Sequence, residues 1–392
     1  MKILIAGSGV NALLLAKYIK TQNAKQDIYV TTDEISEDAT YTPTGIKEND
    51  IVAIRDFVKY NQIEFTVVTS GLPIINGIAD EFEKEGFPVI APFAEAARAT
   101  FFNSIAKKVM YKLKINTPRF GIFDRENIAT EHIRKAKFPI VIMNDFTLAE
   151  RNYNVYSGYK KARIALQQIF ENTNDKIVIE RYIDSTPIYI YFLTDGVNAV
   201  PLITLEKQKG ENFMKITALS ETVTNKLMTN ILQCAVFPFL NDIVKYAGLY
   251  SGILGLKIKI ENNNFYVLEY FNEFQDYDLQ AFLSLFNEDL VQLLIQTSQN
   301  LIRKRRNVEL TGLSSYTLAI KKSAISSDNE DEDFFITEDN DNVIITGTAP
   351  TMNYAKQKVE EYLETICNKK IFDEIINSTK EVLRVRKKHE NF

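Results

Sequence analysis

Two cysteines and two histidines are spread over 392 residues, and that scarcity excludes several chemistries. Cys234 and Cys367 can form one pair at most, so no disulfide framework is expected, and a zinc site would need both of them with His132 and His389. They read as buried or incidental thiols. Long hydrophobic runs are also lacking: the longest, such as "CAVFPFL", fall far short of the roughly 18 residues of a membrane span. The opening "MKILIAG" passes straight into Gly and Ser with no cleavage-type signal, so a cytoplasmic protein without membrane contact is expected. Positive charge is in deficit, with a net charge of −5, which argues against nucleic acid as a partner because phosphate neutralisation needs a basic face. The basic runs "RKRR" at 303–306 and "RVRKKHE" near the C-terminus read as a linker and a solvated helix face. The acidic run "SSDNEDEDFFITEDNDN" lacks the sixth-position glycine and ligand spacing of a calcium loop.

What is present is apolar content of 45% in a chain long enough for two or three packed domains. "KILIAGSGVNALLLAKYIK" reads as a buried strand, a glycine turn and an amphipathic helix. The strand-like pieces "DIYVTT", "FTVVTS" and "FPVIAPF" follow, separated by helical patterns, so the first hundred residues predict an α/β domain with a doubly wound parallel sheet. From about Thr117 the pattern turns to hairpins such as "RFGIFD", "FPIVIMND" and "PIYIYFLTDGVNAVPLITLEKQ", which suits an α+β region closing over a ligand. "SGILGLKIKIENNNFYVLEYF" reads as a hairpin turning at Asn262 to Asn264. After "RKRR" come two strands and the helix "MNYAKQKVEEYLETI", with Val359, Tyr362, Leu363 and Ile366 on one face. The boundaries expected are 1–102, 103–305 with a lid at about 118–184, and 306–392.

Gly7 and Gly9 stand where a strand enters a helix, and amides there can hold an anion or a substrate. A lone Gly-x-Gly with Asp33 downstream is more readily met by a tight turn inherited with the fold, and a dinucleotide oxidoreductase is the minor reading.

Several segments, in order, resemble glycinamide ribonucleotide synthetase, the phosphoribosylamine–glycine ligase of purine synthesis and a member of the ATP-grasp superfamily. They are "ILIAGSGVNALLLAKYI", the long run from "FTVVTSGLP" to "YKLKINTP", "KIVIERYIDSTPIYIYFLTDGVNAVPL", "FYVLEYFNEFQDYDLQAFLSLFNEDLVQLL" and "VIITGTAPTMNYAKQKVEEYLETI". The resemblance implies a central ATP-grasp domain and a small C-terminal α+β domain. It also implies ATP and magnesium as cofactors and the making of an amide from glycine and phosphoribosylamine. On its pattern Lys107, Asp145 and Glu180 fall at nucleotide-binding positions, while Glu269, Asn272 and Asp276 fall at or beside the metal-binding ones.

The phosphate machinery departs from that pattern. Where the family has a strand lysine and then a glycine-rich flap, this chain reads "VIMNDFTLAERN": Met143 replaces the lysine, and Phe146, Glu150 and Asn152 replace glycines. Without glycine the flap's amides cannot approach phosphate closely, and Glu150 adds a repelling charge. On the metal strand Glu269 is kept, but Phe271 takes the second ligand's place, and Asn272 faces the other way unless a bulge re-aims it. The family's glycine-rich substrate stretch has no counterpart in "LEKQKGENFMKITALSET". The sequence marks no catalytic residue. The expected function is that of a divergent ligase whose competence the substitutions put in question. The alternatives are an inactive paralogue kept to bind a nucleotide or a protein partner, and an ATP-dependent carboxylate–amine ligase with another small-molecule substrate.

Overall fold

The structure, a computed structural model, describes all residues except 36–38, 147, 149–152, 173–174, 326–332 and 378–392. Its first sheet is wholly parallel, built from β1 (Lys2–Ala6), β2 (Asp27–Val30), β3 (Thr42–Pro43), β4 (Phe65–Val68) and β5 (Val89–Ile90) in the order β3-β2-β1-β4-β5. Strands covered by helices on both faces must be apolar throughout, and Ile3, Leu4, Ile5 and Ala6 are all fully buried. The expected doubly wound domain is therefore present. Its strand order reverses between β1 and β4, the place where such sheets open a crevice at the strands' carboxyl ends. The edge strand β3 has no alternation to mark it in sequence.

The second sheet lies within the range expected for the lid and is called the lid sheet for that reason: β6 (Phe120–Phe123), β7 (Ile140–Asn144), β8 (Asn154–Tyr156) and β9 (Ile177–Arg181), ordered β6-β9-β7-β8 and antiparallel. Period-2 geometry gives it two apolar faces. Ile140, Ile142, Ile177 and Ile179 pack on the helices Glu126–Arg134 and Tyr159–Asn172, whereas Val141, Met143 and Val178 form a separate cluster with Tyr153 and Tyr182.

The third sheet has eight strands. They are β10 (Ile188–Thr194), β11 (Ala199–Lys209), β12 (Phe213–Ala218), β13 (Gly252–Glu261), β14 (Asn264–Phe271), β15 (Ser314–Lys321), β16 (Phe335–Glu338) and β17 (Asn342–Ala349). Their order is β14-β13-β10-β11-β12-β15-β17-β16. The pairing of β12 with β15 makes the last segment of the chain an extension of the central sheet rather than a separate one. The β13–β14 hairpin turns at Asn262 and Asn263, both at positive φ, as the "ENNN" signal predicts. The helix Met352–Ile366 buries Val359, Tyr362, Leu363 and Ile366, the face expected.

A helical run from Asn225 to Ala247 lies on the sheet, burying Phe239, Leu240 and Ile243 in the core that also holds Val267 and Tyr270. Over Leu232–Val236 it widens to π geometry, just before Pro238, whose missing N–H and bulky ring disfavour a regular turn. Although "CAVFPFL" is short, this 23-residue run is long and apolar enough to match a membrane span by length and composition; its buried part packs as a core helix does.

Candidate functional site

The lid sheet and the central sheet face each other, and ionisable side chains meet between them. Glu180 on β9 points toward the helix Asn103–Lys112, where Lys107 Nζ lies 2.6 Å from its Oε2. Both side chains are fully excluded from solvent, and Lys107 also donates to Thr117 Oγ1 at 2.8 Å. Burial pushes the Glu180 carboxyl above its usual range while the Lys107 ammonium pulls it back. Two residues expected at a nucleotide site are thus brought together as a dry ion pair.

On the central sheet, β13 alternates sharply. Leu254, Leu256 and Ile258 fill the core, and Lys257 and Lys259 project from the opposite face. Lys257 is in register with Glu269 on β14 and with Tyr189 on β10, and its Nζ lies 3.7 Å from Glu269 Oε1. Lys259 Nζ donates to the carbonyl of Ile183 at 2.6 Å, and burial draws this ammonium down to about 8. Tyr153 covers both lysines, with Lys257 at 4.6 Å and Lys259 at 5.8 Å from its ring centre. Burial, and then the charges of Glu180 and Glu269, push the Tyr153 hydroxyl well above its usual range.

The β14 bulge lies at Leu268, since Glu269 pairs with Lys257 while Val267 pairs with Ile258. It precedes Glu269 and therefore leaves Glu269 and Phe271 on one face. Phe271 cannot ligate a metal. Its ring lies over Gly255, at 1.7 Å from where a Cβ would stand, and beside Tyr191. Asn272 is buried just past the strand, with its Nδ2 unpartnered. Asp276, at φ 44, turns to Lys207 instead, which lies 3.1 Å from it and 2.7 Å from Asp278. Asp278 also accepts a hydrogen bond from the Tyr191 hydroxyl, and burial, against the pull of Lys207, raises its carboxyl to about 6. Burial lowers Lys207, but its two carboxylates more than reverse this. Glu269 and Asp276 are therefore each met by an ammonium, Lys257 and Lys207 respectively, while Asn272 is not. Among the described residues no group of three or more His, Cys, Asp or Glu could hold a metal ion. Magnesium does not fit this donor set, because each carboxylate already faces an ammonium.

The remaining expected residues have local tasks. Asp145 accepts hydrogen bonds from Ser104 N at 2.7 Å and Ser104 Oγ at 2.8 Å, so its charge sits at the start of the helix Asn103–Lys112. Asn103 N donates to the Asp145 carbonyl, tying the lid to that helix. The Gly7 N–H donates to Thr31 Oγ1, and a Cβ on Gly7 would lie 2.1 Å from Thr69 Oγ1. Gly9, at φ +76, opens the helix Val10–Gln22. Met143 is enclosed in the apolar cluster beneath Tyr153. Glu150 and Asn152 lie outside the described residues. At the β1–β4 crevice a cavity of about 60 Å3 is lined chiefly by apolar side chains, among them Leu193, Phe274 and Leu293, with Asn11 and Thr69 at its edge.

Sequence reasoning did not single out Lys207, Lys257, Lys259, Tyr153 and Asp278. The available signal was "LKIKI", where lysines recur at period two inside an otherwise core-forming strand.

Comparison with known proteins supplies the frame for this geometry. Two family models match: "Phosphoribosylglycinamide synthetase, N domain" over residues 1–99, and "Phosphoribosylglycinamide synthetase, ATP-grasp (A) domain" over 103–279. The phosphoribosylamine–glycine ligase of Caldanaerobacter subterraneus subsp. tengcongensis is 24% identical over 324 residues, covering 79% of this chain and 77% of that protein. Its namesake from Fusobacterium nucleatum is 25% identical, covering 75% and 72%. Two solved structures share the fold: phosphoribosylamine–glycine ligase of Thermotoga maritima, with TM-score 0.68 at 18% identity over 93% of this chain and 97% of the other, and a biotin carboxylase–β-γ-ATP complex from Campylobacter jejuni, with TM-score 0.68 at 15% identity over 93% and 91%.

Proposed function

We propose a function from one premise: this chain belongs to the phosphoribosylglycinamide synthetase family of ATP-grasp proteins. It is a nucleotide-binding module on a ligase scaffold, without phosphoryl transfer. The observation that carries this reading is Met143, shut in an apolar cluster with Val141 and Val178 on the strand that should present a cation to the phosphates. Charge that builds up on a transferring phosphoryl group is stabilised by positioned cations, and here the strand offers a thioether. The paired state of Glu269 and Asp276 supports it further, since neither is free to hold a metal. A nucleotide would lie between lid and central sheet, near Lys107 and Glu180. The 1–102, 103–305 and 306–392 division, the last part joined to the central sheet through the β12–β15 pairing, and a cytoplasmic location accompany this reading.

A second reading is a ligase acting on a less polar substrate than the family's; the apolar lining by Phe274 and Leu293 suits it, although the cavity, at about 60 Å3, would have to open to admit one. One experiment separates them. Calorimetric titration with ATP, followed by an ADP-release assay with glycine and phosphoribosylamine and with apolar amino acids, should show binding without release above the protein-free rate. Release stimulated by an apolar substrate would establish the second reading; release with glycine and phosphoribosylamine would overturn both. Absence of binding at millimolar nucleotide would remove the nucleotide from the proposal.

A further inference from the structure

We propose that the Lys257 ammonium takes the place of the divalent cation, so that the cleft binds a nucleoside polyphosphate without any metal. The inference rests on the nucleotide-binding reading above and adds how the ligand's charge is met.

The geometry is specific. Lys257 projects from β13 between its two register partners, Glu269 on one side and Tyr189 on the other. Its Nζ is 3.7 Å from Glu269 Oε1, which is the carboxylate that the family pattern assigns to magnesium. A second cation beside that oxygen would stand within a few ångströms of the ammonium, in a region where charges are poorly screened, and would be repelled. The lysine stem is also held in place. Tyr153 and Tyr189 flank it, with Nζ at 4.6 Å and 5.5 Å from their ring centres, so the ammonium cannot swing away to admit an ion without losing both aromatic faces.

Two residues along, Lys259 lies on the same face and near the same Tyr153 ring, held by a neutral partner, the carbonyl of Ile183. Burial, and then the charge of Lys257, lower its pKa, and the carboxylates of Asp184 and Glu180 offset this only in part. Lys257 is itself almost buried, with 12% of its side chain exposed, while Glu269 has 4%. A fixed, nearly dry ammonium beside a carboxylate resembles a resident counter-ion more than a solvated surface pair.

The test compares wild-type protein with Lys257→Ala, Lys257→Met and Lys257→Ala/Glu269→Gln, each first checked for folding by circular dichroism. ATP is titrated calorimetrically in EDTA and in excess magnesium, and Mn2+ alone is titrated by its electron paramagnetic resonance signal. Wild type should bind ATP in EDTA within about threefold of its affinity in magnesium. Lys257→Ala should lose at least tenfold in EDTA, regain it with magnesium, and bind Mn2+ at least tenfold more tightly than wild type; the double variant should lose that gain. Lys257→Met, which keeps the stem but not the charge, should show the EDTA loss, and it serves alone if the alanine variant does not fold. Wild-type binding abolished by EDTA, or variants indistinguishable from wild type in EDTA, would overturn the inference. If no nucleotide binds at all, the functional reading falls with it, yet unchanged Mn2+ affinity in Lys257→Ala would still refute the counter-ion role by itself.

Discussion

Severing the Lys107–Glu180 pair from the lysine side gives a stability loss whose size can be worked out in advance. Lys107→Met keeps the stem and removes the ammonium that lies 2.6 Å from Glu180 Oε2, leaving a carboxylate with no exposure to water. Such a group takes up a proton rather than stay charged. Folding then requires protonating a carboxyl whose ordinary value is 4.5, and at pH 7 that costs about 1.4 kcal/mol for each of roughly 2.5 pH units, or about 3.5 kcal/mol. The nearby Lys257 makes this an upper figure, as does burial's raising of the Glu180 carboxyl already in the wild type, which carries part of the same cost. The folded variant holds a proton that its unfolded chain releases above 4.5, so its stability deficit grows as pH rises and shrinks below 1 kcal/mol by about pH 5. Urea unfolding of wild type and variant at pH 5 and pH 7 reads both numbers. Lys107→Met/Glu180→Gln should return to within about 1 kcal/mol of wild type, because the penalty belongs to the orphaned charge. A deficit equal at both pH values, or under 1 kcal/mol at pH 7, would mean that water reaches Glu180 and that the pair is not dry.

Three other variants probe neighbouring features. Asp145→Ala should lose about 1 kcal/mol in urea unfolding through the uncapped helix Asn103–Lys112, with the ATP dissociation constant within twofold of wild type; a large affinity loss would return Asp145 to the nucleotide site. Gly7→Ala places a methyl 2.1 Å from Thr69 Oγ1 and should lower stability by about 1–3 kcal/mol, and adding Thr69→Ala should recover part of it. Asp278, raised from 3.8 to about 6, contributes stability that is full below its unfolded value and is lost as pH rises through about 6. Asp278→Asn should therefore lack a downward slope on the order of 2–3 kcal/mol that wild type shows between about pH 4 and 6. Melting temperatures over that range decide it.

The fold was legible because its signals are local and periodic: "KILIA" is apolar without a break, as a buried parallel strand must be, and "ENNN" marks its hairpin. The order of the elements carried the family resemblance. The site was legible only in pieces. Glu180 and Lys107 could be placed from the family pattern, but that they neutralise each other depends on how the lid docks, which no window of sequence contains. Glu269 looked like a surviving metal ligand because its meaning was taken from its own strand; the residue that changes it, Lys257, sits across a hairpin. Asp276 was read without its partner for a similar reason, since Lys207 comes from β11, far off in sequence. The shared face of Glu269 and Phe271 was read correctly from period two, but the bulge at Leu268, one residue earlier, leaves no mark in the sequence.

The ladder between β12 and β15 bears on how this chain could be cut or inherited. Phe213 to Thr217 on β12 pair with Tyr316 to Ile320 on β15, so a break at the basic run 303–306 would strip β12 of its neighbour and leave a row of bare amides and carbonyls at the rim of the body that holds the cleft. Such a rim recruits whatever strand comes next, most readily another copy of the same fragment. The last ninety or so residues are thus less a detachable module than the hem of a cloth: the piece that remains after they are removed would fray or stitch itself to its neighbour.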